Sequence, residues 1–304
     1  MTHWKKLIAI LLVLTVSLSL TACSGLGTKA AKAALKMQKL NSLLTDLDVD
    51  FGMSVSMFGE SMDLNMDLNG TVDLNTSPIR GKADMNVSME NTTEKILIYF
   101  EKEGSSLILY TSPDGGNTWT KTEADASEGS KISISKESLA ALIQLGKSFE
   151  ATGTETVRGS EAVVYSGILH WADFITDDMQ ARFLKAIEDE MGKALETEVD
   201  LSEVDLRELG DIPLTLCLDK KSSMPVKFSA DLTETVRNIM PVILNVVMKS
   251  VVNQSGLGAI AGLGGIDLGM LGVDFDVREL VVTAELYDFD AVGEITIPAE
   301  AQAA

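Results

Sequence analysis

The stretch that decides the fold is Met62-Asp-Leu-Asn-Met-Asp-Leu-Asn-Gly-Thr-Val-Asp-Leu74, in which apolar and polar residues alternate. Successive side chains of a β-strand point to opposite faces, so a period of two predicts a long strand with one dry and one wet face. The same alternation runs through 51–57 before this stretch and 83–89 after it. Together they predict a meander of long antiparallel strands whose apolar face packs on a core.

Outward from this meander, the sequence changes between helix and strand periods. Apolar residues at three- and four-residue steps predict amphipathic helices at 28–44, 136–149 and 177–195. Shorter apolar runs predict further strands at 96–100, 107–110, 118–122, 154–158, 162–169, 212–218, 225–232, 273–288 and 294–297. We see no repeat and no strong internal boundary, so we expect a single domain over 28–304.

The first 23 residues have the order of an exported precursor. Lys5 and Lys6 precede an uncharged run of 14 residues, too short for a bilayer core that takes about 20. The following tetrapeptide Leu20-Thr-Ala-Cys23 resembles the bacterial lipobox. The resemblance implies that 1–22 is a signal peptide, that Cys23 carries a diacylglyceryl group, and that 23–27 tethers the domain to the extracytoplasmic side of the cell membrane. An ordinary secretory signal with a chance cysteine is the alternative.

Charge and residue counts exclude several classes of function. Without the signal peptide, the chain has 23 basic and 45 acidic residues, a net charge of −22. A chain with this charge is not expected to bind nucleic acid, because phosphates repel it. It also repels anionic headgroups, so membrane attachment must come from the lipid. Lysines at 29, 32, 36 and 39 form either a lipid-facing stripe or a solvated helix face. After Cys23, the chain has one further cysteine, Cys217, and one histidine, His170. An internal disulfide and any site that needs two histidines are therefore excluded.

Four local motifs resemble ligand or metal sites but lack the context that such sites need. Residues 141–148 fit a permissive P-loop pattern inside a predicted helix, and 256–261 imitate a dinucleotide fingerprint without a preceding strand. Residues 112–119 resemble one Asp-box of sialidases, which predicts a hairpin turn at 113–117 rather than an enzyme. Residues 65–70 resemble an EF-hand loop but alternate as a strand. We find no catalytic constellation and expect no enzyme activity, no cofactor and no bound metal.

Three longer segments resemble bacterial lipoproteins of the LolA-like superfamily, which includes the mycobacterial lipid-carrying lipoproteins. They are the hairpin at 156–167 with its Val-Arg-Gly turn, the Met-Pro-Val strand entry at 222–228, and the closing stretch at 294–301. The resemblance implies an α+β fold, namely a strongly curved antiparallel sheet or half-open β-barrel with helices packed on its concave face. In the carriers of this superfamily, the concave side holds acyl chains.

By the same resemblance, the apolar strand faces are the candidate site for a lipid or another hydrophobic ligand, bound by a monomer. Methionine is flexible enough to accept varied chains, and a helix at 239–252 followed by the glycine-rich 255–272 is the candidate lid. The candidate ligand-binding residues are Met53, Met57, Met62, Leu64, Met66, Met85, Met240, Ile243 and Val247. Two alternatives stay open. The same residues form a closed core, or the protein is a non-catalytic envelope scaffold or interaction lipoprotein whose acidic outer face meets another protein.

Overall fold

A computed structural model provides the coordinates of this protein. It describes residues 32–33, 35–57, 60–89, 92–125, 149–175, 177–195, 201, 204–241 and 273–304. The predicted signal peptide 1–22, Cys23 and the tether 23–27 lie outside these residues, as do most of the predicted helix at 136–149 and the larger part of the predicted lid at 239–272.

In the part of the chain that the structure describes, eleven strands form one antiparallel sheet in the order β6-β5-β4-β3-β2-β1-β11-β10-β9-β8-β7. The strands are β1 Ser42–Met57, β2 Glu60–Thr76, β3 Ile79–Met89, β4 Thr92–Glu103, β5 Ser106–Ser112, β6 Thr120–Asp125, β7 Glu150–Val157, β8 Ser160–His170, β9 Asp211–Asp219, β10 Pro225–Asp231 and β11 Val273–Tyr287. The end strands β6 and β7 do not pair with each other. The predicted α+β fold with a half-open barrel is therefore confirmed.

The alternation in β2 sorts its residues onto two faces, as the sequence predicts. Val49 of β1 lies between Leu68 of β2 and Val282 of β11, and all three side chains are buried on the same face. We call this the dry face and the opposite one the outer face. The core on the dry face contains Leu47, Val49, Met66, Leu68, Val72, Ala83, Met85, Val87, Ile96, Ile98, Leu280, Val282 and Ala284.

Glycines on the dry face admit large side chains from the next strand. A Cβ at Gly70 of β2 would lie 2.1 Å from the Asp84 carbonyl oxygen and 2.8 Å from Met85 Sδ. A Cβ at Gly81 of β3 would lie 2.1 Å from Cζ of Phe100. Because these positions carry no side chain, neighbouring strands approach closely and the sheet bends toward its dry face.

Helical segments cover part of the dry face. The helical residues within 32–37 form α1, which buries Ala33 and Met37. The remaining helices are α2 Trp171–Phe174, α3 Asp177–Leu195, α4 at 233–241 and α5 Ala299–Gln302, with a 3-10 turn at Leu206–Glu208. Val236 of α4 packs on the core, and Arg237 donates a hydrogen bond from Nη2 to the Val277 carbonyl oxygen at 2.7 Å. The predicted packing of helices on the concave face is thus observed for α1 and α4.

The C-terminal segment crosses to the outer face. Ile295, Ile297 and Ala301 are buried there against Tyr99 and Tyr110 of β4 and β5. The predicted strand at 294–297 is wrong, because this segment packs on the outer face of β4 and β5 and pairs with no strand of the sheet. Its apolar residues alternate only because every second side chain contacts the sheet below.

The predicted helix at 28–44 is too long. The helical residues end at Met37, and β1 begins at Ser42 instead of near Asp48. Leu43 pairs with Leu74 of β2, and both are buried. Leu40 and Leu43 are three residues apart, which fits a helix, but the pairing of Leu43 with Leu74 of β2 places Leu43 in a strand.

Replacing Gly70 with alanine tests the close approach of β2 and β3. We expect Gly70→Ala to lower the free energy of unfolding by about 1–3 kcal/mol, because the new Cβ overlaps backbone that cannot move aside freely. Chemical denaturation followed by circular dichroism measures this change. Gly153→Ala in β7 is the control, since a Cβ there meets nothing within 4 Å. Equal stability of the two variants would contradict the packing described here.

Candidate hydrophobic ligand site

The dry face has two ends that differ in how well they are covered. At one end, Leu43, Leu74 and Leu286 are buried beneath Met37 and Leu40 of the N-terminal segment. We call this the closed end. The other end, at the β1–β2 hairpin where β11 begins, we call the open end.

Burial falls along the dry face of β2 toward the open end. The exposed fraction is 1% at Leu68, 8% at Met66 and 56% at Met62, and Leu64 is half-buried. On the neighbouring strands, Phe51 and Val55 of β1 and Phe275 of β11 are half-buried, whereas Met53 of β1 and Val277 of β11 are buried. The open end therefore presents apolar surface that is continuous with the core.

The structure brings four of the predicted ligand-binding residues together at this open end: Met53, Met62, Leu64 and Met66. Met85 lies deeper in the core, fully buried over Gly70. Met240 is half-buried in α4, and Met57 is in β1 although its side chain is not described. Ile243 and Val247 lie outside the described residues. For all of these residues, contact with a ligand stays a prediction.

Sequence reasoning missed several dry-face residues of the open end. Phe51, Val55 and Met89 lie in the alternating stretches, so the period of two contains the signal that places them on this face. Phe275 alternates in the same way at the start of β11, opposite Val55.

The outer face opposite this site is strongly acidic. Asp50 of β1 and Asp67 of β2 are direct cross-strand neighbours, an arrangement of like charges that destabilises a sheet. Burial, followed by the charges of Asp50 and Asp67, raises the pKa of the neighbouring Asp48 above its ordinary value. An open cleft of about 400 Å³ on this face is lined by Asp48, Asn69 and Glu285, among others. An apolar ligand therefore has one suitable face, the dry one.

Arg158 in the β7–β8 turn ties distant strands together across the outer face. Its guanidinium lies 3.6 Å from the ring centroid of Tyr287 and 3.2 Å from Glu285, and it also pairs with Asp46. The Tyr287 hydroxyl donates to Asp46 at 2.7 Å, and burial, followed by this bond, raises the pKa of Tyr287 to about 12. Arg158 therefore links the β7–β8 turn to β1 and β11, although β8 is four strands from β1 in the sheet.

Among the described residues, His170 and Cys217 each contact one acidic side chain. His170 Nδ1 lies 2.5 Å from Asp211 Oδ1, a partner that sequence reasoning did not find. Burial, followed by a hydrogen bond to Glu155, raises the pKa of the Cys217 thiol to about 12, so it stays protonated. Among the described residues, there is no group of three or more His, Cys, Asp or Glu side chains placed to hold a metal ion.

Of the four segments that resemble ligand or metal motifs, the structure describes 65–70 and 112–119. Residues 65–70 lie within β2, with Asp67 and its polar neighbours on the outer face, which confirms the strand interpretation. The segments 141–148 and 256–261 lie outside the described residues. In the described ranges, no helix combines the length and apolar character needed to cross a membrane.

These features define a half-open β-barrel formed by one antiparallel sheet. The chain belongs to DUF6612, a family of unknown function whose model matches residues 27–254. A comparison with curated proteins finds no match.

Three solved structures show distant similarity to this chain. Mycobacterium tuberculosis lipoprotein LppX has a TM-score of 0.40 and 10% identity, covering 91% of this chain and 98% of its own. LprF from Mycobacterium bovis has a TM-score of 0.40 and 13% identity, covering 91% and 99%. A putative outer membrane lipoprotein-sorting protein domain from Vibrio parahaemolyticus has a TM-score of 0.18 and 12% identity, covering 61% and 64%.

The turn at 112–119 joins β5 to β6, as its Asp-box pattern predicts. Asp114 accepts hydrogen bonds from the backbone N–H groups of Thr118 and Asn117 and from the hydroxyls of Thr118 and Ser112. Trp119 Nε1 donates to the Gly116 carbonyl oxygen at 3.1 Å. The bonds from Thr118 contribute most to lowering the pKa of Asp114 from 3.8 to about 2. The turn is a structural hairpin closed by one carboxylate.

The low pKa of Asp114 predicts a loss of stability in acid. A carboxyl whose pKa is lower in the folded state stabilises the fold above its unfolded pKa of 3.8, and this contribution is lost as the pH falls toward about 2. We expect Asp114→Ala to be less stable than the wild type at pH 7 and to lose less stability between pH 4 and pH 2. Thermal unfolding at several pH values measures both effects. Parallel pH profiles would contradict this role.

Proposed function

We propose that this protein is an exported, non-catalytic lipoprotein that binds a lipid or another hydrophobic ligand at the open end of its dry face. Its N-terminal lipid at Cys23 holds it on the extracytoplasmic side of the cell membrane. The ligand contacts Met53, Met62, Leu64 and Met66, and the protein acts as a monomer.

The uneven burial of the dry face carries this proposal. A filled core would bury apolar side chains of one strand to a similar extent, yet the exposed fraction rises from 1% at Leu68 to 56% at Met62 within seven residues of β2. Apolar surface that joins the core directly is typical of binding sites. Methionine supports the same role because its unbranched side chain adapts to ligands of varied shape.

The acidic outer face favours a second function, a scaffold lipoprotein that meets another protein. Asp48, Asp50 and Asp67 form no ion pair with any described residue, and their mutual repulsion is relieved by a basic partner. This function needs no ligand on the dry face. The two functions therefore differ in whether the chain carries lipid.

Native mass spectrometry with lipid extraction separates them. The sample is the chain lacking residues 1–23, mixed with a membrane extract. We expect bound lipid on the wild type and a loss of roughly tenfold or more in occupancy for Met62→Glu, because a carboxylate against an acyl chain costs well over about 1.4 kcal/mol. The control is Ile168→Glu, which adds the same charge at another exposed apolar side chain, 45% accessible.

Met62 suits this test because it is exposed, so its replacement leaves the core intact. Lipid on the wild type and Ile168→Glu but not on Met62→Glu supports the carrier function. A folded monomer that never carries lipid would rule it out and leave the scaffold function.

The lipid anchor is tested separately. We expect Cys23→Ser to abolish the mass of the diacylglyceryl group and to move the protein from the membrane fraction to the soluble fraction, because two acyl chains are what anchors it stably. Ser24→Ala keeps the thiol and serves as the control. Membrane retention of Cys23→Ser would show that the first 23 residues anchor the chain by another means.

A further inference from the structure

The side of α1 that faces away from the sheet combines lysines with an exposed leucine. Ala33 and Met37 of α1 are buried in the clusters of the dry face. Leu35 is instead 41% exposed, one of three large apolar side chains that the described part of the chain leaves exposed. Four exposed residues recur at steps of three and four, and therefore share one side of α1 and the turn after it: Lys32, Leu35, Lys36 and Lys39.

The turn between β9 and β10 extends this lysine-bearing side of α1. Lys36 donates a hydrogen bond from Nζ to the Ser222 carbonyl oxygen, which places the turn beside α1. Lys220 and Lys221 precede Ser222 in the turn, and both are exposed. Met224, at the end of the same turn, is buried with Leu43 and the other residues of the closed end. We call the exposed residues of α1 and this turn the basic face: Lys32, Leu35, Lys36, Lys39, Lys220 and Lys221.

The carboxylates near the basic face leave most of its charge uncompensated. Lys220 pairs with Glu161, and Asp219 accepts hydrogen bonds within the turn from Ser222. Asp290, which follows β11 at the same end of the sheet, accepts a hydrogen bond from the Asn41 N–H at 2.6 Å. Four lysines of the basic face form no ion pair with any described carboxylate: Lys32, Lys36, Lys39 and Lys221.

The length of the tether brings the basic face close to the anchoring membrane. Cys23 and Lys32 are nine positions apart, and nine residues span at most about 30 Å. Leu74 of the closed end and Met62 of the open end are twelve positions apart in β2, which is roughly 40 Å along a strand. A lipid on Cys23 therefore keeps α1 near the bilayer, and the surface of the domain decides which way the open end points.

The distribution of charge favours one orientation on an anionic surface. The exported chain has a net charge of −22, but charges farther from the surface than about 10 Å are largely screened. The side that touches the bilayer therefore decides, and each lysine there strengthens binding roughly fivefold. Leu35 adds an apolar side chain between lysines, as in helices that lie in the membrane interface. Asp274 and Asp276, exposed at the open end, are repelled by the same surface.

We propose that the basic face docks on the anionic headgroups of the bilayer that holds the lipid anchor. The closed end then rests on the membrane, and the open end points away from it. This orientation rests on the proposed lipidation of Cys23. It adds that a hydrophobic ligand reaches the open end from the side opposite to the anchoring membrane.

Paramagnetic broadening of methyl signals on nanodiscs tests this orientation. Residues 23–304 are coupled through the Cys23 thiol to a maleimide-bearing lipid, while the buried Cys217 thiol, with a pKa of about 12, stays unreactive. The discs contain phosphatidylcholine, phosphatidylglycerol and a nitroxide-headgroup lipid, and leucine and methionine methyl groups carry carbon-13. We expect the Leu35 signals to broaden and the Met62 signal to stay sharp. Discs without phosphatidylglycerol are expected to reduce the Leu35 broadening.

Charge reversal shows whether the lysines set the orientation. The double variant Lys32→Glu/Lys39→Glu is expected to lose the difference in broadening between Leu35 and Met62. The control Lys121→Glu/Lys185→Glu makes the same charge change at exposed lysines of β6 and α3, and is expected to behave as the parent does. Unchanged methyl shifts of the buried Met85 verify that each variant is folded.

Two results would overturn the docking surface. One is equal broadening of Leu35 and Met62 in the parent, and the other is an unchanged pattern in Lys32→Glu/Lys39→Glu. Because the anchor is attached chemically and no ligand is added, neither result depends on lipidation in the cell or on ligand binding. Failure of the docking surface and failure of the proposed function are therefore distinguishable.

Discussion

The apolar dry face of an eleven-stranded sheet has to be shielded from water by other parts of the same chain. The rest of the structure depends on this constraint. A flat sheet would leave its dry face exposed to water. The sheet therefore bends, so that strands and helices of the same chain cover this face. Gly70, Gly81 and Gly167 permit the bend, because a Cβ would overlap the neighbouring backbone at Gly70 and an aromatic side chain at Gly81 and at Gly167. At Gly167 that side chain is the ring of Phe149, whose Cγ would lie 2.5 Å away.

The outer face needs a different kind of support, since charged strands do not hold one another. Arg158 supplies it on one side of the sheet, where one guanidinium stacks on Tyr287 and neutralises Glu285 and Asp46. The C-terminal segment supplies it on the other side, where Ile295 and Ile297 bury Tyr99. Between these two supports, the carboxylates of β1 and β2 stay in solvent, which explains why a strongly acidic chain still folds into one sheet.

The sequence correctly predicted those features of the fold that depend on neighbouring residues in the chain. The alternation in β2 and β3 correctly assigns the two faces, because the side-chain period of a strand is set by its own backbone. The errors lie where distant residues decide. Leu43 belongs to a strand because Leu74 pairs with it, and 294–297 stays outside the sheet because its isoleucines pack on the tyrosines of β4 and β5 instead. The ion pairs of Arg158 join residues more than one hundred positions apart, so no local pattern indicates them.

The candidate site shows the same division. The sequence treats Met85 and Met62 alike, as methionines in alternating strands, yet one is fully buried over a glycine and the other is 56% exposed at the end of the sheet. Which methionine is core and which is available is set by what lies opposite it. A side chain left exposed forgoes most of the roughly 1.5–3 kcal/mol that burial contributes. The fold thus buries Met85 in the core and leaves Met62 exposed at the open end.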